Sequence, residues 1–538
     1  MNRREIVKSL SVIPLAGGFL PFVSSAGTKA SAGPLAAGGA SSIYDTIGVD
    51  PIINCRGTFT IIGGSVERPE VVAAMKAASG YFVQYDELAY GVGAKLAKVT
   101  GAEWGVVTSG CAAGLKHVTA ACVTDGNPEK LIRIPDLSGF EKNEVIIPAY
   151  SRNVYDHAIR NIGVTIITVE TPEELKSAIN SRTAMIYIMA EEDSEPGKPL
   201  STEAIAQIAK PYNIPILIDA AAEVLTIPNI HLQRGATVVA YSGGKAICGP
   251  QCAGLLLGKK DLLMAAWQAS SPHHGPGRDN KVGKEEMMGM LAAVEAWTTR
   301  DHPAEWKVWL SYLDNISKQV TKIPGVTTKV NEPKTLSNKS PVLMISWDPD
   351  KLNITAEEIA ETFARSKPRI AIGAHTDGNV TTLQVTTGQM QPGNDKVVAE
   401  RIVSVLSEKR QPKSTAMTAP TGSVAGHWEV DVKFLSGRSN HKLYLEQDGN
   451  WIQGNHTSDF AMQDVVGMLE GDEIKMRSNM RKPGDGITYM FSGKVTGSGM
   501  SGTIYMGEYM VAEFTAKKVI YKGTRKRIVI PGGPPLAT

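Results

Sequence analysis

A chain of 538 residues is two to four domains long at roughly 150 residues each. Hydrophobic residues at 42% and charged residues at 20% supply packed cores and exclude a disordered, collagenous or disulfide-scaffold protein. Fifty-six Lys and Arg against 54 Asp and Glu leave a formal charge of +2, so nucleic acid has no electrostatic claim as partner, and five scattered cysteines cannot staple so long a chain.

Residues 1–32 have the layout of a secretory signal peptide. Basic Arg3, Arg4 and Lys8 precede an apolar run from Leu10 to Val23, and Ala30-Ser31-Ala32 offers a small-residue cleavage site, with Ser24-Ser25-Ala26 as competitor. The Arg3-Arg4 pair fits the twin-arginine type, which directs a protein already folded around its cofactor to the bacterial periplasm. The run holds Pro14, Gly17, Gly18 and Pro21 and is too short to span a bilayer, so no stable membrane insertion is expected after cleavage. Residues 33–43 are a Gly/Ala/Ser linker.

From 44 to 300 short apolar runs alternate with amphipathic stretches. Strands are expected at Trp104–Val107, Glu144–Ile147, Val164–Val169, Ala184–Met189, Ile214–Ile218, Thr237–Tyr241 and Gly254–Leu257. Helical patterns lie between them at Gly114–Val123, Val154–Ile162, Pro172–Ser181 and Thr202–Lys210. That alternation predicts a doubly wound, mainly parallel sheet with ligands beyond the carboxyl ends of its strands. Long helices at Glu285–Trp297 and Pro303–Val320 lead into a smaller α+β domain over 301–410, with strands near Val342–Ile345 and Thr382–Thr386. Residues 411–424 are rich in Pro, Thr and Ser and read as a linker. Seven short alternating strands between 425 and 518, separated by turns such as Asp448-Gly449-Asn450, predict an antiparallel β-barrel, and 519–538 form a basic tail.

Three strand ends carry polar groups. After Trp104–Val107, Thr108-Ser109-Gly110-Cys111-Ala112-Ala113-Gly114 enters a helix, and its small residues let backbone N–H groups approach an anion with the Ser109 hydroxyl beside them. Such turns also arise for steric reasons alone. Asp219 follows Ile214–Ile218, where a buried carboxylate needs a cation or donors: as a helix cap, a metal ligand or the partner of a protonated ring nitrogen. Ser242-Gly243-Gly244-Lys245 follows Thr237–Tyr241, with Lys245 twenty-six residues after Asp219. A desolvated lysine there is a nucleophile toward aldehydes; the alternative is a solvated one, as Lys259-Lys260 are read.

An anion cup, then a strand-end Asp, then a strand-end Ser-x-x-Lys resembles the way the aspartate-aminotransferase-like fold holds pyridoxal 5′-phosphate. Residues 44–410 resemble the selenocysteine-synthase-like branch of such enzymes, which includes the D-glucosaminate-6-phosphate ammonia-lyase-like proteins. The matching stretches are Ile53-Asn54-Cys55-Arg56-Gly57-Thr58 with Gly63-Gly64-Ser65, the cup from Val107 to Gly114, Ile134-Pro135-Asp136 and Lys142–Ile147. Further matches are Asp219-Ala220-Ala221-Ala222-Glu223, Ser242-Gly243-Gly244-Lys245 with Gly249-Pro250-Gln251, and Lys281-Val282-Gly283-Lys284-Glu285-Glu286. The resemblance implies an α/β, fold-type-I enzyme core with a smaller α+β domain, to which the signal peptide and the C-terminal barrel are additions. It implies Lys245 as the catalytic residue in Schiff-base linkage to the cofactor, Asp219 on the pyridinium nitrogen, and Ser109, Gly110, Cys111 and Ser242 on the phosphate.

Two stretches depart from the relatives. Ser151-Arg152-Asn153 stands where His-Arg is expected, with Tyr150 or Arg152 as substitutes, and Arg56 lies in a stretch of commonly small residues. The expected substrate is a small anionic amine, with Arg278, Arg152, Arg56 and Lys281 as candidates for its acid groups. No metal site is expected, because the adjacent His273-His274 lack spaced partners, and Cys248 and Cys252 read either as a disulfide pair or as free thiols. The expected reaction is α,β-elimination of the ammonia-lyase or dehydratase type on an amino acid or amino-sugar acid. The alternatives are transamination, racemisation, selenium or sulfur group transfer, or a non-catalytic ligand-binding exported protein. A homodimer or higher homo-oligomer is expected from the fold.

Overall fold

The computed structural model describes residues 42–414, 416–479 and 486–520. The signal peptide, nearly all of the first linker and all but the first two residues of the tail lie outside the described residues. Among the described residues, no helix is long and apolar enough to cross a membrane.

The chain begins with β1 (Ile52–Cys55) and then builds a seven-stranded sheet from β2 (Trp104–Thr108), β3 (Glu144–Pro148), β4 (Thr165–Val169), β5 (Thr183–Met189), β6 (Ile216–Asp219), β7 (Val238–Ser242) and β8 (Gly254–Gly258). Its order is β2-β8-β7-β6-β5-β3-β4, and only β8 runs antiparallel to its neighbours. Helices cover both faces, which is why Val145-Ile146-Ile147 and Leu255-Leu256-Leu257 are unbroken buried apolar runs rather than alternating ones. All seven expected strands of this sheet are present, within two residues at each end.

A second core belongs to a five-stranded sheet, β1-β11-β12-β10-β9, formed by β9 (Thr327–Asn331), β10 (Val342–Trp347), β11 (Arg369–Asp377) and β12 (Val380–Thr386) together with β1. Here the expected boundary needs correction. β1 lies within 44–300 yet pairs in parallel with β11, and Cys55 is fully buried with Leu313, Ile345, Phe363 and Val398. Four residues cannot satisfy their own backbone groups, and the edge of β11 supplies the partners that the distant large sheet does not. Among the described residues the chain therefore passes through the small domain at β1 before it builds the large sheet, and returns to it afterwards.

The third core is a closed antiparallel barrel of β13 (Gly426–Lys433), β14 (Arg438–Asp448), β15 (Trp451–Thr457), β16 (Met462–Glu470), β17 (Glu473–Asn479), β18 (Tyr489–Thr496), β19 (Gly499–Tyr505) and β20 (Val511–Val519). Pairing of β13 with β20 closes it and leaves no open edge. β16 is the strand that the sequence reading lacked. Val465 faces the interior and Val466 the solvent, so two like residues in a row hide the alternation.

Candidate active site

Thr108 and Ser242 both pair with Gly254, one from each side of β8, so the ends of β2 and β7 lie two strand spacings apart, about 10 Å. Gly254 is small for a reason: a Cβ there would stand 2.4 Å from the Gly110 carbonyl carbon and 2.6 Å from the Cys111 nitrogen. The turn Ser109-Gly110 thus folds over β8 into the helix Cys111–Thr124. That helix starts at Gly110, with φ of 82°, and no side chain caps it. Its first N–H groups have no side-chain acceptor, so this helix start can serve as an anion cradle where a phosphate would supply the missing acceptors.

Asp219 ends β6 and is 5% exposed. Its Oδ2 accepts from the Tyr187 hydroxyl at 3.0 Å, and its Oδ1 from the Ala221 N–H at 3.0 Å and the Cys111 thiol at 3.6 Å. Burial pushes its carboxyl above the ordinary carboxylate range against those bonds and against the charge of Lys245. Burial, followed by the Asp219 charge, holds the Cys111 thiol and Tyr187 phenol well above their usual values, so both remain donors. A buried carboxylate that burial disfavours calls for a cation, which a protonated pyridine ring provides.

Lys245 lies three residues beyond β7, half-buried, and its ammonium makes no hydrogen bond or ion pair among the described residues. The loop around it is tight. A Cβ at Gly244 would lie 2.7 Å from the Gln251 Cα, and one at Gly64 would lie 2.9 Å from the Gly244 carbonyl oxygen. The Gly63-Gly64 segment therefore packs directly on the lysine loop, bringing the small-domain end of the chain to the site.

The remaining candidates separate. Arg278 is half-buried, donates to the Ser271 hydroxyl at 3.2 Å and has no carboxylate partner among the described residues. Its loop packs on the cradle helix, where Lys116 pairs with Asp279 at 3.0 Å and Gly277 lies against His117. Lys281 is exposed. Arg152 is not available as expected: its Nε is 2.6 Å from the fully buried Asp156 carboxylate, which also holds Arg160. Tyr150 gives its hydroxyl to the Leu200 carbonyl. Arg56 lies over the Phe59 ring and lines a different cavity with Ile61, Glu357 and Arg369. These three residues are engaged by other partners, two of them near in sequence, Asp156 at i+4 from Arg152 and Phe59 at i+3 from Arg56, and one distant, the Leu200 carbonyl for Tyr150. All five cysteines are free thiols, Cys248 half-buried and Cys252 exposed. His273 bonds Asp86, and among the described residues no group of three or more His, Cys, Asp or Glu converges as metal ligands.

Two features escaped the sequence reading. Asn153, inside the departing Ser151-Arg152-Asn153 stretch, donates to the Tyr187 hydroxyl at 3.3 Å and so stands behind the Tyr187–Asp219 bond. A tyrosine in the middle of the apolar run Ala184–Met189 was the available signal. The second is a cavity of about 320 Å³ beside the lysine loop, lined by Gly57, Ala222, Ala246, Trp306, Trp309 and Gln389 among others. It joins large-domain loops to the small domain and was invisible in any one segment.

The family model for aminotransferase class-V matches residues 89–281, from the helix before β2 to the loop beyond the lysine. D-glucosaminate-6-phosphate ammonia lyase of Salmonella typhimurium is 30% identical over 302 residues, covering 54% of this chain and 78% of that protein. The chain belongs to the class-V aminotransferase-like family of pyridoxal-phosphate enzymes. A solved D-glucosaminate-6-phosphate ammonia-lyase superposes with a TM-score of 0.60 at 26% identity, covering 68% of this chain and 98% of that one. A second relative, the 5′-C-glycyluridine monooxygenase-decarboxylase of a Streptomyces species, is 26% identical over 378 residues and spans 68% of this chain and 92% of that protein. The residues present fit the family's cofactor: an uncapped helix start for its phosphate, Asp219 for its ring nitrogen and an unpaired Lys245 for its aldehyde. The barrel is an addition to this enzyme core.

Proposed function

We propose that the protein is a lyase that removes ammonia from a small anionic amino acid or amino-sugar acid. The observation that carries the reading is the placement of the cradle, Asp219 and Lys245 at neighbouring strand ends of one sheet, within the class-V aminotransferase match over residues 89–281, in a chain 30% identical to an ammonia lyase over 302 residues. When bound, pyridoxal phosphate lowers the energy of a carbanion next to the substrate nitrogen.

The chain's own residues do the rest. The cradle N–H groups would hold the cofactor's phosphate at the uncapped helix start. Asp219 holds the proton of the ring nitrogen, and Tyr187 and Cys111 hold Asp219 ionised by donating to both of its oxygens. Lys245 Nζ, which makes no hydrogen bond or ion pair among the described residues, would take the Cα proton once it is not bonded to the cofactor. Loss of a β-hydroxyl as water and hydrolysis of the resulting enamine give a 2-oxo acid and ammonia. Arg278, half-buried and without a carboxylate partner, is the candidate for the substrate's acid group.

The leader-like sequence of residues 1–32 supports a periplasmic location reached by the twin-arginine route, and the fold supports a homo-oligomer. The deciding experiment incubates the holoenzyme with D- and L-amino acids and amino-sugar acids, without an amino acceptor. Release of ammonia and 2-oxo acid in equal amounts supports the lyase. Turnover that requires an acceptor, or that consumes oxygen, refutes it.

A further inference from the structure

The cavity beside the lysine loop tells what kind of substrate end it fits. Its positive charge is spent. Arg300 Nε and Nη2 meet the Glu305 carboxylate at 3.0 and 2.8 Å, Nη1 donates to the Ala246 carbonyl at 3.1 Å, and the guanidinium lies 4.7 Å over the Trp297 ring. Arg68 adds a further contact to Glu305 at 3.3 Å. Those contacts hold burial down and leave the Glu305 carboxyl below its usual range, so it is ionised. The remaining lining lysine is Lys339, which is exposed; His302 packs against Trp297, with its Nε2 3.1 Å from the Trp297 carbonyl oxygen. A phosphate dianion is best matched by a free bidentate guanidinium or several converging cations; this wall has neutral donors and one exposed lysine, and its arginine is already held by Glu305 and Ala246.

It offers indoles instead. Trp306 and Trp309 are half-buried, one helical turn apart on the helix His302–Val320, with ring centroids 5.9 Å apart and planes tilted by 60°. Trp297 stands behind them, its N–H tied to the Leu225 carbonyl. The same cavity is lined by the polar groups of Thr58, Asn338, Ser340 and Gln389. Apolar rings and neutral hydrogen-bonding groups in one cavity match a chain whose carbons each carry one C–H and one O–H: C–H against the indoles, O–H toward the amides and hydroxyls.

We propose that this cavity receives the distal end of an unphosphorylated, polyhydroxylated substrate, an amino-sugar acid without its phosphate ester. The proposal rests on the lyase reading for its chemistry but not for its binding, and the relative's phosphorylated substrate makes it a departure. Trp309 and Trp306 are specificity-determining residues in it.

The test has two arms on the holoenzyme. In the first, ammonia release is compared for D-glucosaminate and D-glucosaminate 6-phosphate, with kcat/KM expected at least tenfold higher for the unphosphorylated acid. In the second, D-gluconate and 6-phosphogluconate, which have no amine to react, are titrated against tryptophan fluorescence. D-gluconate is expected to bind at least tenfold tighter than its phosphate ester, and Trp309→Ala to weaken it about tenfold. Equal or tighter binding of the ester, or failure of D-gluconate to bind the wild-type protein, overturns the proposal. D-gluconate binding with no ammonia from either amine keeps the cavity assignment and discards the lyase reading.

Discussion

The enzyme core and the C-terminal barrel both bury titratable groups, and they do so in opposite ways. In the large domain Asp219 is buried at the end of β6, where strands stop and loops open a cleft, and three donors surround it. In the barrel His441 and His456 are buried within adjacent strands, their Nδ1 and Nε2 atoms 2.9 Å apart, under the rings of Tyr489 and Phe491. Burial raises the carboxyl of Asp219 and lowers the imidazoles, that of His456 to about 3. The same desolvation therefore asks for a cation in one place and leaves neutral rings in the other. Burial of a charge-capable group is not enough to make a site; a strand end that lets ligand groups converge on it is.

This contrast can be broken by experiment. Lys245→Ala should lower ammonia release by about 10³-fold or more, since both cofactor attachment and the proton-accepting amine go; a variant within tenfold of wild type would remove Lys245 from the chemistry. Asp219→Asn should reduce kcat by roughly 10²-fold, because the amide cannot hold the ring proton, and an unchanged kcat would show that the ring needs no counter-charge here. Tyr187→Phe should cost less, about tenfold at neutral pH, and shift the pH profile. The lost bond favours ionised Asp219, so its already raised pKa rises further and the acid limb of kcat moves to higher pH; an unmoved limb would reduce Tyr187 to packing.

The smallest effect on catalysis belongs to the barrel and is an effect on stability. His456 has a folded pKa of about 3 against the usual 6.5, so the unfolded chain binds more protons between those values. Stability from keeping it neutral is complete above pH 6.5 and is lost as pH falls toward 3. The barrel's melting temperature should drop on going from pH 7 to pH 4, and His456→Gln should flatten that dependence while ammonia release at neutral pH stays within twofold. A slope that survives the substitution would assign the acid sensitivity elsewhere.

Much of this protein was legible in one dimension. Apolar runs of four to six residues named the strands of the large sheet, and the residues at or just after their ends, Ser109, Asp219 and Lys245, were the candidates to read because a parallel sheet exposes its strand ends to ligand. Other features were not legible for definite reasons. β1 is short and apolar like any strand, and only the free edge of β11 determines which sheet it joins. Arg56 and Arg152 carry the same charge as Arg278, but Phe59 and Asp156 hold them elsewhere. Tyr187 read as one more apolar strand residue until the neighbouring β6 brought Asp219 within 3.0 Å of its hydroxyl.

By itself the sequence determined the three-part architecture, since periodicity is a local property of the chain, and its ordered motifs carried the family resemblance that implies the cofactor and points to Lys245 as the residue to hold it. The tertiary structure alone decided which arginines stay free, which donors steady Asp219, and that three tryptophans and a spent guanidinium form the wall beside Lys245. Some of those contacts, Tyr187 and Cys111 with Asp219 or Arg300 with the Ala246 carbonyl, join residues 32 to 108 positions apart, and even the short-range ones, such as Arg152 with Asp156, take their geometry from the packed cores.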